Sequence, residues 1–146
     1  MRIYLDMCCL QRPMDDQTYI RIHIEAEAIL GILSWCEEGN AELLNSVALS
    51  YEADHNPHPA RKAFVQEALS KSHSIIQVTN SIEQRARNYG SHGIKVLDAL
   101  HLACAVEVQA NFFCTCDDRF LRRAKQMETE QTKVVSPLEL IEVIEP

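Results

Sequence analysis

Phe112-Phe113-Cys114-Thr115-Cys116-Asp117 is a short, unbroken apolar run that stops at an acid. Such a run, without polar alternation, reads as a strand buried on both faces. Arg2-Ile3-Tyr4-Leu5 at the start of the chain has the same character and also stops at an acid, Asp6. Between and beyond these two lie Glu42-Leu43-Leu44-Asn45, Ser74-Ile75-Ile76-Gln77-Val78 and Lys133-Val134-Val135, all β-prone.

Helical patterns separate the strands. Ile22, Ala26, Ile29, Leu33 and Cys36 recur at spacings of four and three, and Gly39 is placed to close that helix. Ile20, Ile22 and Ile24 alternate as a strand would, but the length of the whole segment decides for helix. Ser46 is a good N-cap for a helix over 47–54, which His55-Asn56-Pro57-His58-Pro59 then breaks. A helix over 60–71 follows, and Ser81 with Gln84 predicts a capping box for another that ends near Gly90 to Gly93. The segment 94–109 is the most apolar helix, with Leu97, Leu100, Cys104 and Val108 on one side. A short basic helix covers 119–127, and Pro137 starts the last one. Strands alternating with helices predict one α/β/α domain over residues 1–146, with a parallel sheet of about five strands covered on both faces.

Composition narrows the function classes. The chain has 146 residues, 47% of them apolar and 24% charged, with four Gly and five Pro, which is ordinary for a soluble globular protein. It contains no apolar run near the roughly 20 residues of a membrane span and no signal-peptide pattern, which predicts a cytoplasmic protein with no membrane partner. A net charge of −7 argues against a protein that coats nucleic acid with a basic surface, yet it leaves room for a nuclease whose acids await a cation. The six cysteines, Cys8, Cys9, Cys36, Cys104, Cys114 and Cys116, never form C-x-x-C and read as reduced core residues.

In an open parallel sheet, ligands bind outside the carboxyl ends of the strands, which is where Asp6 and Asp117 fall. Each alone reads equally as a turn former or a helix cap. Asp98 lies in apolar Val96-Leu97-Asp98-Ala99-Leu100, where a helix-dipole contact or a salt bridge are the alternatives to a ligand. Glu52, taken alone, reads as a solvated helix residue. Acids converging on one sheet edge would repel unless neutralised. Mg²⁺ or Mn²⁺ suits that need, keeping several waters while leaning on a few carboxylates.

With these residues in this order, the chain resembles the PIN-domain family. The resemblance rests on Tyr4-Leu5-Asp6, on Ser46 followed six residues later by Glu52, on Asp98-Ala99-Leu100-His101-Leu102-Ala103, and on Thr115-Cys116-Asp117-Asp118-Arg119-Phe120. It implies strand order 3-2-1-4-5, which makes Asp6 and Asp117 neighbours. It implies that Asp6, Glu52, Asp98 and Asp117 are the metal-binding, catalytic acids of an Mg²⁺- or Mn²⁺-dependent ribonuclease, with Thr115 a supporting hydroxyl and Asp118 a further acid. Arg12, in Arg12-Pro13-Met14-Asp15-Asp16, resembles a residue that faces the site in a bacterial subgroup, although it reads equally as part of a surface turn. Where family members often follow the first acid with Thr-Asn or Thr-Ser, this chain has Met7-Cys8, which puts a supporting hydrogen bond in question. Similarity to VapC-type toxins implies an RNA substrate, a cognate antitoxin and a homodimer. A non-catalytic PIN-like module that binds RNA or protein is the competing reading.

Other features point elsewhere less strongly. Arg119, Arg122 and Arg123, with Lys125, are candidate contacts to RNA phosphates, or a solvated helix face. His101 reads as a core histidine, and His55 and His58 lack a third ligand. A receiver domain would need an acid where the third strand ends in Val78-Thr79-Asn80, and an Asp-x-Asp phosphatase would need one at Cys8. A glycine-rich phosphate loop and a G-x-S-x-G elbow are both missing from the sequence.

Overall fold

The computed structural model describes residues 1–145. At its centre is strand β1 (Arg2–Leu5), whose Ile3, Tyr4 and Leu5 are wholly buried. It is flanked by β2 (Glu42–Leu43) on one side and β5 (Phe112–Cys114) on the other, and β6 (Lys133–Val135) continues the sheet beyond β5. All pairings are parallel, with Ile3 opposite Leu43 and Phe112, and Leu5 opposite Cys114. A separate parallel pair joins β3 (Asn45–Ser46) to β4 (Ile75–Ile76).

The predicted second strand is thus split. Leu44 still donates its N–H to the Ile3 carbonyl at 2.9 Å, but from Asn45 onward the chain leaves β1 and pairs with β4. With the two pieces taken as one interrupted strand, the order is the 3-2-1-4-5 that the resemblance implies, recorded as a sheet of four strands and a sheet of two.

Helices α1 (Met7–Gln11), α2 (Ile20–Glu37), α3 (Val47–Asp54), α4 (Pro59–Leu69), α5 (Asn80–Ser91), α6 (Val96–Glu107), α7 (Asp118–Ala124) and α8 (Pro137–Ile144) fill the connections. They pack in pairs, α2 with α8, α3 with α4 and α5 with α6. Local chemistry explains most of their ends. Gly39 follows α2 at φ +88°, a left-handed conformation that glycine adopts freely. The Ser46 hydroxyl accepts from the Leu49 amide as the N-cap of α3, and Ser136 with Glu139 forms a capping box on α8.

Four expectations need correction. The cap of α5 is Thr79, whose hydroxyl accepts from Ile82, so the helix starts before the predicted Ser81 and Gln84 box. The third strand shrinks from five residues to Ile75–Ile76. Helix α6 starts at Val96 and buries Ala99, Leu102, Ala103 and Val106, while Leu97, in the first turn, is 41% exposed. Between Asp6 and Arg12, where no element is expected, the chain winds into α1, and the turn at Arg12-Pro13-Met14-Asp15-Asp16 opens as a 3₁₀ turn over Arg12–Met14. Among the described residues, no helix is long and apolar enough to cross a membrane.

Candidate metal centre

Parallel strands put all their carboxyl ends on one edge, so Asp6 after β1 and Asp117 after β5 emerge side by side. The Asp6 amide donates to the Cys114 carbonyl at 3.1 Å, which stitches the two strand ends together. On either side of β1 the chain turns away in opposite directions, which opens the crevice where such sheets bind ligands.

Each strand-end acid also caps a helix, as the bland reading has it. Asp6 Oδ1 accepts from the Cys9 amide at the start of α1, and Asp117 Oδ1 accepts from Arg119 and Phe120 at the start of α7. One oxygen of each carboxylate makes the cap, so capping orients the group while leaving its second oxygen outside those bonds. Thr115, fully buried, accepts the Asp117 amide on its hydroxyl at 3.1 Å and fixes the turn between them. The position that departs from the family pattern is also filled, because the Cys8 thiol donates to Asp6 Oδ1 at 2.8 Å. The hydrogen bond left in question by Met7-Cys8 is therefore present, with sulfur as the donor.

Asp98 and Glu52 come from helices that cross at this edge. Asp98 sits in the first turn of α6, and Glu52 lies in the last turn of α3. Glu52 is not a solvated side chain: its Oε1 meets His101 Nε2, and His101 Nδ1 meets the Tyr4 hydroxyl at 2.6 Å. Tyr4 in turn reaches Ser46 Oγ at 2.7 Å. With Glu52 ionised and the imidazole neutral, Ser46 donates to Tyr4, Tyr4 to His101, and His101 to Glu52. Protonating the imidazole reverses the two hydroxyls without breaking the chain. His101 is thus the core histidine that the sequence predicts, but it also holds an acid.

Electrostatics mark the edge as strained. Burial, followed by the neighbouring Cys8, pushes the Asp6 carboxyl well above its ordinary range. Asp98 is also raised, first by burial and then by the charge of Asp117, with a smaller push from Glu52, while His101 and Lys95 pull the other way. Asp98 and Asp117 share a pocket of about 100 Å³ with Lys95, Arg119 and Arg123. A larger cavity of about 840 Å³ lies at the opposite, amino end of the sheet around Met1, Arg2 and Glu42, and none of these acids lines it.

The acids do not form a closed cage: Asp98 and Asp117 line one pocket, whose lining includes neither Asp6 nor Glu52. Among the described residues, no three carboxylate oxygens of this edge lie within 4.8 Å of one another. An ion such as Mg²⁺, which keeps several waters while leaning on a few carboxylates, would have to complete its shell here with water. The oxygen-only donor set fits the same hard ions.

Other predicted site residues are held elsewhere. Asp118 forms a two-pronged ion pair with Arg21, at 2.6 and 2.7 Å, which lowers its pKa. Arg12 bonds Glu25 and Asp15. Glu25, only 3% exposed, is a buried acid that the sequence reading passed over; its position four residues after Arg21 on α2 was the available signal. Arg123 donates to the Gly93 carbonyl, Arg119 lines the pocket, and Arg122 stays exposed.

A family model described as the PIN domain matches residues 3–126. No curated protein sequence matches the chain. Among solved structures, FitAcB from Neisseria gonorrhoeae is similar at a TM-score of 0.56 and 16% identity, covering 93% of this chain and 98% of that one. VapBC2 from Rickettsia felis, solved bound to a DNA fragment from its promoter, is similar at a TM-score of 0.60 and 14% identity, covering 92% and 98%. At such identities the structures speak for the fold, and the match over most of the sequence speaks for the lineage: the chain belongs to the PIN-domain family, whose members are generally nucleases.

Proposed function

We propose that the protein is a divalent-metal-dependent endoribonuclease, with Asp6, Glu52, Asp98 and Asp117 holding Mg²⁺ or Mn²⁺ at the carboxyl edge of the sheet. The observation that carries this reading is the pocket at that edge which Asp98 and Asp117 line together with Lys95 and Arg119, where burial first and the charge of Asp117 second raise the Asp98 carboxyl. His101 and Lys95 counter only part of that push, and a cation or a proton would offset the rest. A bound ion supplies Lewis acidity toward a phosphodiester and a more acidic water.

The chain's own residues do the positioning. Helix capping fixes one oxygen of Asp6 and of Asp117, and the Tyr4 and His101 chain fixes Glu52. Lys95 and Arg119, in the same pocket as Asp98 and Asp117, carry positive charge to meet substrate phosphate. Arg122 is the exposed cation on the same helix.

By its likeness to VapC-type proteins the reading extends to a toxin with a cognate antitoxin and a homodimeric state, acting in the cytoplasm. The test is cleavage of labelled single-stranded and structured RNAs with Mg²⁺, with Mn²⁺ or with chelator. Metal-dependent cutting that Asp6→Asn abolishes is the expected result. Cutting that survives both chelation and Asp6→Asn would sink the assignment, and a folded protein that binds RNA without cutting would favour the non-catalytic module.

A further inference from the structure

Three cysteines that lie far apart in sequence meet beside Asp6. Cys8 and Cys9 follow the end of β1, and Cys116 follows the end of the neighbouring β5. Their Sγ atoms all lie within 4.8 Å of one another, which among the described residues makes them the one group of three His, Cys, Asp or Glu with ligand atoms so close. We propose that Cys8, Cys9 and Cys116 form a three-thiolate site for a thiophilic d¹⁰ cation, Zn²⁺ or Cu⁺. This site adjoins the carboxylate edge, because Cys8 Sγ lies 2.8 Å from Asp6 Oδ1 and would give up its bond to that acid on ligating a cation, but it does not depend on the nuclease reading.

Distances, second-sphere bonding and access agree. Cys9 and Cys116 Sγ are 3.5 Å apart. In a tetrahedral zinc thiolate, with Zn–S about 2.3 Å, sulfurs sit about 3.8 Å apart, so this pair is within a few tenths of an ångström of the required spacing, and Cys8 Sγ, within 4.8 Å of both, needs a shift of at most about 1 Å. The Cys116 amide donates to Cys8 Sγ at 3.3 Å, the kind of backbone bond that supports a ligating thiolate. Cys9 and Cys116 are buried, whereas Cys8 is partly exposed, so an ion can arrive from that side. The choice of ion follows from softness, because sulfur-only donors select Zn²⁺ and Cu⁺ over Mg²⁺ and Mn²⁺. Three thiolates suffice for Cu⁺, and Zn²⁺ would add a water. Cys114 Sγ lies 3.8 Å from Cys9 but falls outside the mutual group of three.

Plain packing of reduced thiols is the competing account, and metal titration separates the two. The full chain, held reduced by a non-thiol reductant and saturated with Mg²⁺, is titrated with Cd²⁺ as a thiophilic probe. A thiolate-to-metal charge-transfer band should saturate at one Cd²⁺ per chain and release about three protons, since ligands must deprotonate. Zn²⁺ and Cu⁺ should each displace the probe, and the tighter competitor identifies the occupant. Cys9→Ala and Cys116→Ala should weaken binding more than about 100-fold, beyond the loss of an outer-shell partner. Asp98→Asn and Cys36→Ala should leave it unchanged. Should the buried alanine variants lose their fold by circular dichroism, Cys8→Ala at the partly exposed position carries the same test, with at least about tenfold weakening. A folded, reduced protein without the band, or a band that Cys8→Ala does not weaken, would overturn the proposal.

Discussion

Tyr4→Phe removes one oxygen from the centre of the fold and tests whether the chain from Ser46 to Glu52 matters. The ring itself should stay in place, because it packs on Phe113 with centroids 5.4 Å apart and Phe keeps that contact. Ser46 Oγ keeps its bond from the Leu49 amide, so it is not stranded. His101 Nδ1 is stranded, in a side chain only 3% exposed, because Tyr4 is the partner it has in the structure. A buried polar atom left without a partner costs about 1–3 kcal/mol. For a domain of this size that lowers the melting temperature by about 3–10 °C. The lower half of that range is expected, since the variant also spares the burial of the Tyr4 hydroxyl.

Calorimetry on the parent, Tyr4→Phe, Ser46→Ala and the double variant gives the coupling directly. Residues in one hydrogen-bond network couple by at least about 0.5 kcal/mol. RNA cleavage by Tyr4→Phe should fall with unchanged secondary structure, because His101 no longer holds Glu52 in one orientation. A variant that melts within about 1 °C of the parent, with full activity, would show that the chain of hydroxyl, imidazole and carboxylate carries neither stability nor positioning.

Three further outcomes follow from the same geometry. In a Mn²⁺ titration at constant ionic strength, a site filled to a hundred times its dissociation constant adds roughly 2.7 kcal/mol; Asp98→Asn should lose most of that rise while melting no lower than the metal-free parent, and equal shifts for both would place the ions elsewhere. Asp6 and Asp98 have raised folded pKa values, so their contribution to stability is present below the ordinary carboxylate value near 3.8 and is lost as pH climbs through the folded values. Metal-free melts should therefore show the parent losing more stability than Asp98→Asn between about pH 4 and neutrality, and parallel curves would refute the assignment of strain to Asp98. Gly93→Ala should destabilise by at least about 1 kcal/mol in urea unfolding, because Gly93 has φ +94° and an added Cβ would lie 2.7 Å from Arg123 Nη1; a neutral effect would show that the Arg123 contact with this loop is dispensable.

How far the sequence could be read depended on the range of the signal. Apolar runs ending in acids announced β1 and β5, because a strand covered on both faces must be apolar along its length. Caps made by a residue within its own helix turn, such as Ser46, were equally visible. The split after Leu44 was not, because Asn45 and Ser46 differ little from strand residues and only pairing with β4 pulls them away from β1. The face of α6 was misjudged for a related reason: an all-apolar helix has no polar side to mark its orientation, so Leu97 was grouped on one side with Cys104, although Cys104 is buried and Leu97 is exposed.

The site divides along the same line. Asp6 and Asp117 were legible as strand ends, yet the partners that tune them arrive from other elements. Cys8 replaces the usual hydroxyl beside Asp6, and no propensity scale would rank a thiol as its donor. His101 was correctly placed in the core, but its role as the link between Tyr4 and Glu52 needs α3, α6 and β1 to meet. Glu25, too, reads as one of many helical acids until Arg12 and Arg21 close over it. Removing Arg12, 2.9 Å from Glu25, would leave this buried carboxylate only the longer 3.6 Å contact with Arg21. That makes Arg12, in the 3₁₀ turn after α1, a residue whose position is set by Glu25 and Asp15 before any substrate arrives. The sequence thus exposes what a residue does for its own strand or helix, while what it does for the site emerges only where parallel strands bring distant segments to one edge.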